Sequence, residues 1–174
     1  MRLEVHRRLT ELRAAVGMDY GKCVQKLLGL AFLEAGATRL TDRGIQGIDL
    51  EVTLPDRRRL AIEVKTTESA AVVLGEKDLQ GLEARRQEGF EPFLAALGPH
   101  RLDDWVLARF HPGELRPNAS CAPLLLRAWR DRTVEAVVAT TFSAVVLSHA
   151  AAASVGRQSA LNAILERYPA YARA

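Results

Sequence analysis

The order of patterns along the chain predicts an α/β or α+β fold, with a central mixed β-sheet flanked by helices. Three observations carry that expectation. Two stretches near the start keep a helical apolar period among charges, and two later runs alternate strictly around a short polar loop. A further helical stretch then leads into two more apolar, strand-like runs.

Leu3, Val5, Leu9, Leu12 and Val16 recur at helical spacing among charges, and Gly17 stops that helix. A second helix is expected from Asp19, a suitable N-cap, to Ala35, with Gly36 as its C-terminal stop. The period then changes to two. In GIDLEVTL, Ile48, Leu50, Val52 and Leu54 point one way while Asp49, Glu51 and Thr53 point the other. After PDRRR the alternation returns in LAIEVKTT, setting Leu60, Ile62 and Val64 against Ala61, Glu63 and Lys65, so the two runs form a β-hairpin. A helix follows from Glu76 to Glu88, with Leu79 and Leu82 inward and Gly89 as its stop, then strands over 91–97 and 105–110. The loop with Pro112, Gly113, Pro117 and Asn118 marks a boundary. It divides the chain into an N-terminal helix (1–18), a core (19–112) and a C-terminal extension (113–174) packed on that core.

The chain has 174 residues, enough for one domain with a proper core or a small domain with an appendage. Its 24 basic and 21 acidic residues leave a formal charge of +3, which permits nucleic acid as a partner without demanding it. The two cysteines, Cys23 and Cys121, make neither a disulfide framework nor a metal quartet, so a reducing, cytoplasmic setting is expected. The charged start, MRLEVHRRLTELR, does not suit a signal peptide. Residues 137–155 carry no acid or strong base over 19 residues, long enough to span a membrane. They are carried by Ala, Ser and Thr, however. The β-branched first half reads as a buried strand and the second as an Ala-rich helix or loop, so no membrane partner is expected. No G-x-S-x-G, phosphate loop or dinucleotide fingerprint is present.

The hairpin carries the chemistry. With the turn symmetric about Asp56, residue i faces residue 112 − i, so Asp49 lies opposite Glu63 with Cβ atoms roughly 5 Å apart. Lys65 projects to the same face about 7 Å further along, and glycines 44 and 47 flank the patch. Facing carboxylates repel unless a cation or a proton lies between them. Such hard oxygens suit Mg²⁺ or Mn²⁺, and a neighbouring lysine can orient water or offset charge on a phosphorane-like transition state. The same residues also suit a solvated hairpin face.

The spacing D-x13-E-x-K resembles that of the PD-(D/E)xK nuclease superfamily, and the surroundings are closest in character to its archaeal Holliday junction resolvase branch. Gly21 and the helix to Ala35, Gly36 and Arg39, G-I-D at 47–49, I-E-V-K at 62–65 and the segment 76–97 follow that branch's order. The likeness covers roughly residues 19–110 and is specific in its order rather than in any one motif. It implies a restriction-endonuclease-like core in which Asp49, Glu63 and the carbonyl of Val64 hold Mg²⁺ or Mn²⁺ and Lys65 is the catalytic lysine. Gln25 stands where the family usually has a glutamate; a glutamine amide can hold a metal-bound water but brings no charge. Arg39 and Arg43, the hairpin-tip residues Arg57, Arg58 and Arg59, and Gln80 on the following helix are candidate nucleic-acid contacts. The implied activity is metal-dependent hydrolysis of DNA phosphodiesters, with branched DNA as substrate and a homodimer as the working form. The alternatives are a restriction-type duplex endonuclease and, through Gln25, an inactive nuclease-fold module that binds nucleic acid or a protein.

Overall fold

The computed structural model describes residues 2–43, 48–67, 71–98, 105–109, 111, 113–121 and 125–174. The flanking glycines 44 and 47, the end of the expected strand at Phe110, and Pro112 of the expected boundary lie outside these residues.

Helix α1 spans Arg2–Val16 and ends at Gly17, whose φ of 56° suits a residue without a Cβ. A 3-10 turn, Gly17–Asp19, leads into α2, Tyr20–Glu34. Asp19 is therefore already helical and caps nothing with its side chain; its carboxylate accepts instead from Arg157 and Gln158. Four strands come next: β1 (Arg39–Asp42), the hairpin strands β2 (Leu50–Thr53) and β3 (Arg59–Thr66), and the short β4 (Val72–Val73). Helix α3 (Glu76–Gln87) precedes β5 (Glu91–Leu97) and β6 (Val106–Arg109), and β7 (Ser120–Cys121) pairs with β4. The chain closes with α4 (Arg132–Leu165), which is broken by a kink at Arg157, and β8 (Tyr171–Arg173).

The main sheet has the order β6-β5-β3-β2-β1-β8. It is mixed: β3 runs parallel to β5, β1 parallel to β8, and the remaining pairs are antiparallel. The hairpin register is the expected one, since Leu50 faces Ile62 and Glu51 faces Ala61. Period two assigns the faces. Leu50, Val52, Leu60, Ile62, Phe93, Ala95 and Leu107 share one buried cluster with α1, α2 and α4, while Ala61 and Leu82 of α3 lie in another. Ile48 departs from the expected alternation: past the bend at Asp49 it packs with Ala61 and Leu82 instead of with Leu50.

Of the expectation for residues 137–155, the strand over the first half is absent, while the second half is the helix that was one of its two expected forms. Both halves lie within α4, because Val134, Val138, Phe142, Val145, Val146, Ala150 and Ala153 recur at helical spacing and are all buried. Helix α4 is long and apolar enough to cross a membrane, and 39% of its most apolar window is buried within the molecule.

Candidate active site

The site forms where the hairpin opens. The β2–β3 ladder ends with the Asp49 N–H donating to the Ile62 carbonyl, and β3 continues to Thr66 without β2 beside it. Into that opening α2 projects Lys22, Gln25 and Lys26, which share one helix face at spacings of three and four. Gly29 lets the helix lie low: a Cβ there would stand 3.1 Å from Leu40 Cδ2 on β1. Gln25 and Lys26 are consequently buried, 2% and 6% exposed.

The structure brings Asp49, Glu63, Lys65 and Gln25 together. Asp49 Oδ2 accepts from the Val64 N–H at 2.9 Å, and Oδ1 accepts from Lys22 Nζ at 2.9 Å. The expectation for Val64 concerned its carbonyl; the group that meets Asp49 is its N–H. Lys65 Nζ lies 2.7 Å from Glu63 Oε1 and 2.8 Å from Asp78 Oδ2. Gln25 Nε2 donates to Asp42 Oδ1 at 2.9 Å and to the Asp49 carbonyl at 3.3 Å, while its Oε1 accepts from Lys22 at 2.9 Å. Beneath it Lys26 Nζ and Asp42 Oδ2 make an ion pair at 2.5 Å with both side chains buried.

These surroundings set the charges. Burial, together with the negative charge of Asp49, pushes the Glu63 carboxyl up to about 8, against the pull of Lys65. Burial works against a charged Lys65, but Glu63 and Asp78 outweigh it and raise its pKa. Lys65 is thus a firm ammonium and a poor proton acceptor. Burial also opposes an ionised Asp78, yet the Lys65 ammonium and the Gly75 N–H hold its carboxyl below the ordinary range.

Asp78, Asp42, Lys22 and Lys26 escaped the sequence reading. Asp78 had a signal: it is an acid in the first turn of α3, the helix that follows the strand carrying Lys65 in the chain, and its side chain accepts from the Gly75 N–H at 2.9 Å. Asp42 had none, since its four-residue strand is buried at three successive positions and shows no alternation. Gln80, expected near the site, is not brought to it. Its amide donates to Glu76, one turn back, and it lines an open groove with Glu83, Gln87 and Leu115.

The arginines divide. Arg39, Arg43 and Arg59 line one groove of about 240 Å³ together with Arg85, Glu51 and Glu88. Arg43 and Arg85 both pair with Glu51, at 2.7 and 2.9 Å, and the Arg43 N–H donates to the Asp49 carbonyl, which joins that groove to the site. Arg59 also stacks over Phe90 at 3.8 Å. Arg58 is committed to structure, gripping Glu91 with two hydrogen bonds and reaching Asp131 at 3.0 Å. Arg57 is exposed at the hairpin tip, beyond the opposite end of β3 from Lys65.

Among the described residues no group of three or more acidic, histidine or cysteine side chains is arranged to hold a metal. Asp49 and Glu63, with the oxygen of Gln25, are the donors the site offers.

No family model and no curated protein matches the chain. Among solved structures it is similar to Hjc of Archaeoglobus fulgidus, a Holliday junction resolvase from an archaeal hyperthermophile. The TM-score is 0.52 and the identity 20%, over 67% of this chain and 95% of that one. The chain thus has the α+β fold of that resolvase, a restriction-endonuclease-like sheet flanked by helices.

Proposed function

We propose that the protein is a divalent-metal-dependent endonuclease acting on DNA, with branched DNA as its substrate. The observation that carries the reading is the convergence of Asp49, Glu63 and Lys65 at the opening of the hairpin, in a fold shared with a resolvase.

The donor set fits a hard cation. Burial and the charge of Asp49 raise the proton affinity of Glu63, which a cation between the two carboxyls would relieve, and the oxygens of Asp49 and Gln25 already share an ammonium. Mg²⁺ takes one or two carboxylates and completes its shell with water and phosphate oxygen, which a two-carboxylate site allows. Asp49, Glu63 and the Gln25 oxygen would hold it, and when bound it would polarise the phosphate and acidify water. Lys65, fixed as an ammonium between Glu63 and Asp78, donates hydrogen bonds and offsets charge on the phosphate; it does not take the proton. The Val64 N–H holds the Asp49 carboxylate in place, and Asp42 holds the Gln25 amide. The groove of Arg39, Arg43, Arg59 and Arg85 supplies backbone-positioning charge beside the site. Branched DNA is favoured by what the neighbouring structure is, and a homodimer by the need to cut two strands of one junction.

The neutral Gln25 and the ammonium on Asp49 favour a second reading, a nuclease fold that binds DNA without cutting. One experiment separates the two: a labelled panel of linear duplex, single strand, flap and four-way junction, each with Mg²⁺, Mn²⁺ or EDTA. Asp49→Ala, Glu63→Ala and Lys65→Ala are each expected to lower metal-dependent cleavage at least about 100-fold while keeping the native circular dichroism. Cleavage retained in all three variants, or binding with no cleavage in any metal, overturns the enzyme reading.

A further inference from the structure

Lys22 is a charged group at the site to which hydrolysis assigns no reacting role, yet its position is specific. Its Nζ stands 2.9 Å from Asp49 Oδ1 and 2.9 Å from Gln25 Oε1. Two oxygens from separate elements therefore converge on one point, and a positive charge occupies it. The acceptors are fixed. Gln25 is 2% exposed, and its Nε2 is tied to Asp42 and to the Asp49 carbonyl, so the amide cannot turn its oxygen away without losing both bonds. Asp49 Oδ2 is held by the Val64 N–H.

The ammonium is not fixed in this way. The Lys22 side chain is 46% exposed against 13% for Asp49, and four rotatable bonds let it leave for solvent. Its identity is also unusual for this chain. Only four of the 24 basic residues are lysines, and Lys22, Lys26 and Lys65 all stand at this site.

We propose that Lys22 is a tethered counter-ion that occupies the cation position shared by Asp49 and Gln25, so that a divalent ion binds there only by displacing it. The inference rests on the metal-dependent reading above. Asp49 is then never left without a cation, and metal entry becomes an exchange of one cation for another. Lys22 lowers the affinity for the ion, and the freed ammonium is released at the mouth of the site.

The test is Mn²⁺ binding to the full chain without nucleic acid, followed by the electron paramagnetic resonance signal of free Mn²⁺. Lys22→Met keeps the length and helix propensity of the side chain and removes its charge. It is expected to bind Mn²⁺ about tenfold more tightly than the native protein, the order set by removing one competing charge from a partly exposed carboxylate. Lys22→Arg is expected to bind no more tightly than the native protein, and Asp49→Asn to lose binding. Thermal melting gives a second readout: Lys22→Met melts lower without metal and gains more from saturating Mn²⁺. Equal affinity in the native protein and Lys22→Met, with loss in Asp49→Asn, overturns the role of Lys22 and leaves the metal site standing. Weaker binding by Lys22→Met overturns it as well. Absence of Mn²⁺ binding in every form overturns both this inference and the metal-dependent reading.

Discussion

Glu63 is a carboxyl enclosed by the β-sheet and α3, 6% exposed, beside a second carboxylate. Burial and the Asp49 charge raise its pKa in the folded state to about 8, against an ordinary value of 4.5. Between those limits the folded protein holds a proton that the unfolded chain has released. Stability then falls as pH rises, because the native state binds more protons than the unfolded one. The metal-free protein is therefore expected to lose melting temperature steadily from about pH 5 to pH 8, and Glu63→Gln to be flat over that window. At pH 8 the variant should melt higher, by about 2–4 °C for each 1 kcal/mol recovered in a chain of this size. Saturating Mn²⁺ should remove the slope from the native protein, since an ion beside Glu63 offsets the Asp49 charge. Calorimetry at four or five pH values in EDTA decides the matter, and equal slopes in both proteins would show that Glu63 is ionised throughout.

Helix α4 carries backbone strain at one residue. Arg157 has φ 51° and ψ −141°, a conformation open to glycine and strained for any side chain with a Cβ. Its gain, an exposed ion pair with Asp19, is worth little. Arg157→Gly is expected to stabilise the protein by about 1 kcal/mol, read as a higher denaturation midpoint at unchanged slope; a lower midpoint would mean that the Asp19 contact outweighs the strain. The same helix marks the limit of what the sequence discloses about elements. The paired part of the hairpin was legible to the residue, because strict alternation on both sides of a short turn admits one register; the ladder stops at Leu50 and Ile62, and past the bend Asp49 turns its carboxylate to the Val64 N–H. The segment 137–146 of α4 reads as a strand because Val137, Val138, Val145 and Val146 are β-branched, and local preference favours a strand where burial at every third or fourth residue makes a helix. Strands β1 and β8 are four and three residues long, and their pairing is decided by distant partners. The half of the site contributed by β1 was hidden for that reason: a period shows which face is buried, but not that Asp42 goes inside with Lys26 to meet it.

At the scale of the whole molecule, α4 is part of the core and not an appendage to it. It packs against both α1 and α2, and Val134, Val138, Phe142, Val145, Val146, Leu161 and Leu165 lie in the same buried cluster as Leu12, Leu27 and Leu60. Burial of each such side chain contributes roughly 1.5–3 kcal/mol, so together they are at least comparable to the net stability of about 5–15 kcal/mol that a domain possesses. The residues proposed to hold the metal stand on α2 and the hairpin, with Asp42 of β1 fixing the Gln25 amide, and α2 depends on α4 for its cover. A chain ending at residue 112 is accordingly expected to lose cooperative melting and near-ultraviolet circular dichroism, and Mn²⁺ binding with them. Removing only residues 171–174 is a contrasting control. It deletes β8, whose contribution is one edge strand of three residues with two of them exposed, and should lower the melting temperature by a few degrees while leaving Mn²⁺ affinity intact. A cooperative melt in the chain ending at 112 would show that the sheet, α1, α2 and α3 close a core without α4, and that α4 serves a surface instead of the fold.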